Sequence, residues 1–404
     1  MSAAHPAIAR YAGFGFALAL VSSIGQTFFI GLFGGEIQSA LGIDAGRWGL
    51  LYGIATLASG GLMFWAGAQA DHQPLRRVTL LALAILVSGA LLMATATTLW
   101  VLVVAVFLLR FGGQGLSGHL AMVVAARPAQ RRGRSLAVAA FGFIAGEALL
   151  PVSVVVLLGL VGWRELWALA GAGVVVLALP VLWWLGGRVG GVPAPPRTQE
   201  VVATLDRRQL LRAPAFRAAL AVLLVSPFVV TALFLQQATL VTLKDWSLGL
   251  FASGFLVFAL AQAGSNWISG ALVDRFGARS VLRVYLLPLA IACLALGFVS
   301  GPAALWLMFA GLGVTAGAQG VVGGALWVEL FGLRQLGLVR GVYFGFMVLT
   351  TAVSPFLLGA ALSAGVDLGL LTVGLAVYAC IIPWWVSRSL RHVQADPVLH
   401  ADSG

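Results

Sequence analysis

Two ionisable residues lie deep inside apolar stretches of this sequence, where charge is costly. Arg110 stands about twelve residues into the stretch 99–122, and Glu147 about twelve residues into the stretch 135–161. A charged side chain at the centre of a bilayer costs at least ~2.5 kcal/mol, so each one requires a function or a partner. Arginine keeps its proton in proteins, whereas a glutamate can gain and lose one. We consider two interpretations: protonation of Glu147 frees Arg110 to hold an anionic solute, or the two form a permanent ion pair.

Two further side chains follow Arg110 on the same stretch. Gln114 comes four residues later, which places it on the same face of a helix as Arg110, and we expect both to contact the solute. His119 comes nine residues after Arg110. Because an imidazole titrates near neutral pH, His119 is a candidate for proton coupling beside Glu147, and packing between helices is the alternative.

The composition indicates which kind of protein positions these residues. Of 404 residues, 61% are hydrophobic and only 9% are charged, and the mean hydropathy is +1.02. A soluble domain is about half apolar and a quarter charged, because its surface must be hydrated. The chain is therefore interpreted as an integral membrane protein. Its two cysteines, Cys293 and Cys380, each lie in an apolar stretch, which excludes a disulfide-stabilised secreted scaffold.

Long apolar stretches recur along the chain at the length that a membrane helix needs, about 20 residues. They cover 11–35, 47–69, 78–98, 99–122, 135–161, 165–187, 217–243, 248–270, 280–300, 302–328, 341–364 and 367–387. Their continuity predicts an all-α integral membrane protein with twelve transmembrane helices rather than a β-barrel. The first stretch is too long for the apolar part of a signal peptide, so we expect it to be retained as the first helix.

The basic residues predict the orientation of these helices. With the amino terminus in the cytoplasm, 20 of the 24 lysines and arginines fall on the cytoplasmic side and three on the opposite side. This bias is typical of cytoplasmic loops, so we expect a multi-pass protein of the cytoplasmic (inner) membrane with both termini inside. The net charge of +11 is then a signal of topology, and we expect no nucleic-acid partner.

The chain repeats itself at about half its length. The segment Gly67–Arg76 aligns with Gly270–Arg279 at an offset of 203, and Gln114 aligns with Gln319 at an offset of 205. Two matches at nearly the same offset indicate an internal duplication. Duplicated halves are usual in secondary transporters, whose solute sites lie near the middle of the membrane between the repeats.

The boundary between the halves is marked by composition. Residues 188–216 form the one long stretch rich in proline, glycine and arginine, which is typical of a linker. We therefore predict two pseudo-symmetric six-helix bundles, 1–187 and 217–404, joined by this cytoplasmic linker, with a short cytoplasmic tail at the end. The part of the linker after residue 204 alternates leucines with arginines, which predicts a short amphipathic helix on the membrane surface.

The two repeated loops carry a resemblance to a known family. Gly270–Arg279 has the pattern Gly-x-x-x-Asp-Arg-x-Gly-x-Arg, and Gly67–Arg76 has the same pattern with His72 and Pro74 at two positions. In this respect the chain resembles the major facilitator superfamily, over essentially its whole length. The resemblance implies two six-helix bundles that rock about a central site, and loops that brace their cytoplasmic ends.

The resemblance also implies roles for particular residues. The cytoplasmic gating loops would use Asp71, Arg76, Asp274, Arg275 and Arg279, since an aspartate can bind a helix amino terminus or an arginine when the halves close. Polar and aromatic residues on the helices that line the family's cavity would bind the solute with Arg110 and Gln114; these are Gln26, Phe29, Gln236, Gln237, Asn266 and Gln319. Amides and rings suit a solute with hydrogen-bonding groups and a flat or apolar body, and each could equally bridge helices.

These observations predict a function. We expect a secondary active transporter that moves a small organic anion, such as a carboxylate, by alternating access, with protons or another ion as the coupling partner. The alternatives are a neutral aromatic or heterocyclic nutrient, export of a drug or metabolite, or a non-transporting membrane sensor or assembly factor on the same fold. No phosphate-binding Gly-x-x-x-x-Gly-Lys-Ser/Thr motif occurs, and we expect no enzymatic activity, no cofactor and no metal. We expect a monomer in the lipid bilayer.

Overall fold

The computed structural model of the chain describes residues 4–70, 73–128, 132–189 and 205–391. Within these ranges the chain is helical and contains no β-strand, which confirms the all-α class. Eleven helices in the described ranges are long and apolar enough to cross a membrane, and a twelfth apolar helix is shorter. In chain order they are α1 (Ala9–Gly31), α2 (Ala45–Gly67), α3 (Leu75–Ala94), α4 (Leu99–Ala125), α5 (Gly133–Leu158), α6 (Trp163–Val189), α7 (Pro214–Leu235), α8 (Leu248–Phe276), α9 (Leu287–Phe298), α10 (Pro302–Phe331), α11 (Leu336–Ser363) and α12 (Leu368–Leu390).

The short helix α9 falls on the predicted stretch 280–300, whose first part is irregular. Ala278–Val281 forms one helical turn, and turns occupy 282–286 before α9 begins. Pro288 stands in the first turn of α9, where a proline removes no intrahelical hydrogen bond. The described ranges therefore hold twelve apolar helical segments, one of which has an irregular start.

Helix α1 and the residues that continue it to Leu41 are interrupted twice, and we refer to this whole segment as α1. The expectation of one continuous stretch over 11–35 did not include these interruptions. The α-helix Ala4–Ser22 passes through a 3₁₀ turn, Ser23–Gly25, to Gln26, whose backbone is extended (φ −83°, ψ 155°). The chain is helical again over Thr27–Gly31 and, after a turn of two residues, over Gly34–Leu41. Each interruption leaves backbone polar groups that need other partners, because the hydrocarbon core offers no water.

Helix α7 repeats the second of these interruptions. Its α-helical part ends at Leu235, Gln236 leaves the helical conformation (φ −89°, ψ 24°), and the chain continues as Gln237–Leu243. Phe33, in the turn of α1, precedes Gln236 by 203 residues, which is the offset of the repeated loops. The two halves therefore break their first helices at the same place.

Helix α4 widens into a π-helix over Arg110–Ser117. Glycines in this segment let neighbouring backbones approach. A Cβ on Gly113 would lie 2.7 Å from the Cα of Gly25 in α1, and one on Gly112 would lie 2.7 Å from the backbone nitrogen of Leu86 in α3. Short π-helical segments inside α-helices are frequent at functional sites. This one brings the backbone of α4 against α1 and α3 directly beside Arg110.

The two bundles meet through the helix pairs α2/α11, α5/α8 and α1/α7. The α2/α11 contact is close because α2 carries glycines along it. A Cβ on Gly49 would lie 2.5 Å from the carbonyl oxygen of Pro355, and one on Gly53 would lie 2.5 Å from that of Ala352. Small residues allow membrane helices to pack backbone against backbone.

The linker lies partly outside the described residues, which resume at 205. Beyond that point a short helix, Arg207–Arg212, begins with a capping box in which Asp206 and Gln209 bind each other's backbone N–H. Helix α6 ends at Val189 and α7 begins at Pro214. The division into bundles at 187/188 and 216/217 remains a prediction.

The close packing of α2 on α11 predicts that Gly49→Ala destabilises the protein. A methyl group at this position would collide with the backbone of Pro355 and Phe356, and such overpacking costs about 1–3 kcal/mol. Gly61→Ala is the matched control in the same helix, because nothing lies within 4 Å of a Cβ there. Thermal unfolding in detergent should show a lower midpoint for Gly49→Ala only. Equal midpoints for the two variants would contradict the α2/α11 contact.

Candidate functional site

Arg110 is almost fully buried, with 4% of its surface exposed, at the start of the π-helical segment of α4. Its Nη1 donates to the carbonyl oxygen of Gly25 at 3.4 Å and to the hydroxyl of Thr27 at 3.3 Å. These two acceptors flank Gln26, where the backbone of α1 leaves the helical conformation. Arg110 is therefore a partner of the first interruption of α1.

Tyr52 of α2 completes the surroundings of this guanidinium. Its ring centre lies 5.3 Å from the Cζ of Arg110, within the range of a cation–π contact. Its hydroxyl lies 2.6 Å from the hydroxyl of Thr27, so α1, α2 and α4 are joined by one polar cluster. Neither Tyr52 nor Thr27 was in the predicted set. The available signal was a tyrosine in the middle of one apolar stretch and a threonine directly after Gln26 in another.

Glu147 does not pair with Arg110, which removes the permanent ion pair as an interpretation of this structure. All polar partners of Arg110 among the described residues are neutral, and its Nε makes no hydrogen bond. The Oε2 of Glu147 is buried and also makes no hydrogen bond. The two side chains are separated because α1 packs between their helices: Gly113 of α4 meets Gly25, and Gly146 of α5 meets Ser23.

The surroundings of Glu147 are nevertheless close to the same interruption. Gly146 packs against the Ser23 side chain, in the 3₁₀ turn of α1. Phe143, one helical turn before Glu147, lies 3.8 Å from the position of a Cβ on Gly118 in α4. Glu147 thus lies near the junction of α1, α4 and α5, on the other side of α1 from Arg110.

Four other predicted residues do not form one cluster with Arg110. Gln114 is exposed although Arg110, four residues before it in the same π-helical segment, is buried. Asn266 is exposed on α8, and Gln26 is half-buried at the break in α1. His119 is half-buried beside Gly67 of α2.

The amides of Gln236 and Gln237 join the two bundles instead of lining an accessible cavity. Both residues are fully buried at the interruption of α7. The Nε2 of Gln236 donates to the carbonyl oxygens of Ala45 (2.8 Å) and Pro355 (2.9 Å), at one end of the α2/α11 contact. The Nε2 of Gln237 donates to the carbonyl oxygen of Phe28 in α1 at 2.8 Å. This end of the molecule is closed, and we call these two residues the glutamine latch.

Gln319 and Phe29 serve packing within their own bundles. The Nε2 of Gln319 donates to the carbonyl oxygen of Leu223 (2.6 Å) and to the hydroxyl of Tyr343 (2.9 Å), and its Oε1 lies 3.1 Å from the hydroxyl of Tyr285. Phe29 is 2% exposed, and its ring centre lies 5.3 Å from that of Trp167. Phe29 is therefore buried in the core and the half-buried Gln319 is bonded within its own bundle, and their contact with the solute remains a prediction.

The loop after α8 is stabilised within the carboxy-terminal bundle. Gly277 has φ +77°, a conformation that glycine adopts at little cost. The carboxylate of Glu329 on α10 accepts the backbone N–H of Ala278 and lies 3.8 Å from the Nε of Arg279. Arg279 also donates to the carbonyl oxygen of Leu390 on α12 at 3.1 Å. The carboxylate of Glu329 therefore caps this loop.

The other residues predicted for the two gating loops make no hydrogen bond or ion pair with the opposite bundle among the described residues. Asp274 and Arg275 are exposed, and Arg275 lies over the ring of Phe276. In the first copy of the loop, Pro74 stands where Gly277 stands in the second, and it adopts φ −57°. Asp71 lies outside the described residues. Arg76 contacts α6 of its own bundle, where its Nη2 donates to the carbonyl oxygen of Trp183 at 3.4 Å. The bracing role of these loops remains a prediction.

The sequence profile of the Major Facilitator Superfamily matches residues 15–309, so the chain belongs to this family of membrane transporters. No curated protein matches the chain in a sequence comparison.

Solved structures show the same fold at low sequence identity. A bacterial homologue of the human lysosomal transporter Spinster, in an inward-facing and unoccupied conformation, superposes with a TM-score of 0.73 at 15% identity over 97% of this chain and 99% of that one. A mutant of the nucleoside transporter NupG superposes with a TM-score of 0.72 at 12% identity, over 94% of this chain and 99% of that one. The Spinster homologue in its inward-facing and occupied conformation superposes with a TM-score of 0.70 at 16% identity, over 96% of this chain and 98% of that one.

The glutamine latch predicts that Gln236→Leu loosens the closed end, because the variant loses both bonds to α2 and α11. Spin labels on Ala40→Cys and Thr242→Cys, in a Cys380→Ser background, should show a longer or broader distance distribution than in the parent. Gln38→Leu is the control, since Gln38 donates to the carbonyl oxygen of Gly34 within its own helix. An unchanged distribution in Gln236→Leu would show that the amide does not hold this end closed.

Proposed function

We propose that this protein is a secondary active transporter of a small organic anion, such as a carboxylate. The observation that supports an anionic solute is the buried guanidinium of Arg110. Among the described residues, all of its partners are neutral. Arginine presents several N–H donors in a planar fork that fits a carboxylate. A solute carboxylate would supply the negative charge that the surroundings of Arg110 lack. Membership of the superfamily supports transport as the activity.

Alternating access would bring the solute to Arg110. At 4% exposure, Arg110 is reached only if the α1 interruption around Gly25 and Thr27 moves. The same helix carries Phe28, which is bonded to Gln237 of the glutamine latch. Opening of the latch would therefore move the segment that covers Arg110. Two structural neighbours were solved in inward-facing conformations, which supports a structure closed at one end at the level of the fold only.

A neutral heterocyclic solute is the second candidate, and the exposed amides favour it. Gln114 on α4 and Asn266 on α8 are accessible, whereas Arg110 is covered. Amides can bind the hydrogen-bonding edge of a ring without any charge. One of the structural neighbours is a nucleoside transporter, which supports this alternative at the level of the fold only.

Proton coupling would use Glu147. Its carboxyl group has a buried oxygen without a hydrogen-bond partner, and it lies beside the α1 interruption but not in contact with Arg110. Carboxyl groups inside membrane proteins are typical of proton relays. Gain and loss of a proton at Glu147 would change the charge next to the interruption of α1. This change would favour one position of the α1 backbone over another. His119, one helix away on α4, would be a second proton carrier.

The distribution of basic residues supports the orientation. We propose that both termini face the cytoplasm in the cytoplasmic membrane, and that the glutamine latch closes the outer end. Gln236 and Gln237 follow the apolar part of α7, whose first residue, Pro214, comes directly after the arginine-rich linker helix. The positive-inside rule places that helix in the cytoplasm.

Arg110→Gln should abolish binding of small carboxylates, because it removes the positive charge and keeps a hydrogen-bonding side chain. The measurement is a thermal-shift titration of the purified protein in detergent with small carboxylates, flat heterocycles and lipophilic cations. We expect carboxylates to raise the melting temperature of the wild type and to leave that of the variant unchanged. Stabilisation by heterocycles that persists in Arg110→Gln would instead establish the second candidate.

Glu147→Gln should uncouple transport from the pH gradient while exchange of solute persists, because glutamine keeps the shape of a protonated carboxyl but carries no exchangeable charge. The measurement is solute counterflow and gradient-driven uptake in proteoliposomes, each at two external pH values. We expect counterflow near the wild-type rate and a loss of gradient-driven accumulation. Accumulation at the wild-type level would remove Glu147 from the coupling mechanism.

A further inference from the structure

Arg76, at the start of α3, lies across the end of α6. Its Nη2 donates to the carbonyl oxygen of Trp183, and its Cζ lies 4.6 Å from the centre of the Trp183 ring. It can lie this close because Gly187 has no side chain; a Cβ there would collide with the guanidinium. Arg76 is exposed, and it has no ion pair with a carboxylate among the described residues.

A second arginine, Arg188, directly follows Gly187 in α6 and has the same kind of aromatic partner. The Cζ of Arg188 lies 3.4 Å from the centre of the Trp184 ring, one helical turn earlier. The two tryptophans are 43% and 55% exposed, so their rings present apolar surface next to two exposed guanidinium groups. Tryptophan and arginine at a helix end are typical of the interface between headgroups and acyl chains. We call Arg76, Trp183, Trp184 and Arg188 the α6 terminal cluster.

An apolar groove leads up to this cluster. It has a volume of about 590 Å³ and is formed by α1, α5 and α6. Its wall on α6 includes Val174, Leu177 and Val181. Trp184 and Arg188 follow Val181 by three and seven residues, so they continue the same face of the helix. Leu177 and Val181 are 70% and 49% exposed, which leaves the groove accessible from the side of the bundle.

The two bundles differ in the acidic partner of the arginine that ends each repeated loop. Arg279, which is 203 residues after Arg76, also reaches the last part of a helix, at Leu390 on α12, but its charge is met by the carboxylate of Glu329. At the repeat offset of 205, the position of Glu329 corresponds to Val124, and residues 119–128 contain no acidic residue. The amino-terminal copy therefore keeps the arginine, and no acidic residue stands at the position that corresponds to Glu329.

We propose that the α6 terminal cluster binds the headgroup of an anionic phospholipid whose acyl chain occupies the groove. The phosphate would take the place that the Glu329 carboxylate has in the other bundle, between Arg76 and Arg188. Charge complementarity selects an anionic headgroup, and the apolar groove that ends at the headgroup site selects a lipid rather than a free ion. The site is separate from Arg110 and does not depend on the proposed function.

The experiment is a titration of the purified full-length chain in detergent with phosphatidylglycerol or phosphatidylcholine of the same acyl chains, followed by thermal unfolding and by native mass spectrometry of retained lipid. Phosphatidylglycerol should stabilise the wild type more than phosphatidylcholine does, with about one more lipid retained. Arg76→Gln/Arg188→Gln should bind phosphatidylglycerol at least tenfold more weakly, since each arginine near an anionic lipid contributes on the order of a fivefold effect. Arg388→Gln, which removes the equivalent arginine over Trp384 on α12, is the matched control and should behave like the wild type.

Three results would overturn the proposal. Equal stabilisation by both lipids in the wild type would show that no anionic headgroup is selected, and equal stabilisation by inorganic phosphate alone would show a free-anion site. Displacement of retained phosphatidylglycerol by the carboxylates used for Arg110 would assign the groove to the transported solute. If the double variant does not fold, Gly187→Ala replaces it. That variant keeps every charge, displaces the Arg76 guanidinium, and should still reduce the preference for phosphatidylglycerol.

Discussion

The rule that buried backbone polar groups need partners in a bilayer governs how this protein uses its few polar side chains. Helices α1 and α7 are interrupted inside the bundles, and the side chains that reach their carbonyl oxygens come from other helices. Arg110 serves Gly25 in α1, and Gln319 serves Leu223, beside a turn of α7 at Leu224. These two side chains are therefore tied to irregular points of the helices.

The same arrangement links the breaks to conformational change. A hydrogen bond between side chain and backbone is specific in geometry but is worth only about 1 kcal/mol net, so it can be exchanged for another partner. In the glutamine latch, Gln237 of α7 holds Phe28 of α1 from the opposite bundle. Phe28 directly follows Thr27, a partner of Arg110. One short segment of α1, residues 25–28, therefore both contacts the latch that closes one end and covers Arg110.

The structure also explains why the two halves are not equivalent despite their common origin. In the carboxy-terminal half, Gly277 adopts a positive φ and Glu329 caps the loop that follows α8. Pro74 cannot adopt that backbone conformation, and no acidic residue corresponds to Glu329 in the other half. In the amino-terminal half, neither Arg76 nor Arg110 has a carboxylate partner among the residues that the structure describes.

Much of the fold could be predicted from the sequence, because long apolar stretches and the repeated loops are sufficient for twelve helices in two halves. The placement of individual polar residues could not. Gln114 comes four residues after Arg110, yet it is exposed while Arg110 is buried, and only the packing of α4 against its neighbours shows this difference. Gln236 and Gln237 look like cavity residues from their position in α7, and only the opposing carbonyl oxygens of the other bundle show that they close the interface. The partners Tyr52 and Thr27 required knowledge of the interruption in α1.

The most direct test of the central claim is uptake of a radiolabelled small carboxylate into proteoliposomes of the wild type and of Thr27→Val/Tyr52→Phe, which keeps Arg110 but removes the hydroxyl groups that position it. The account predicts saturable uptake by the wild type and, in the variant, an apparent affinity weakened by about tenfold with the protein still folded. It is contradicted if the wild type transports no carboxylate, or if the variant transports it with unchanged affinity, because Arg110 at the α1 interruption would then not be the solute site.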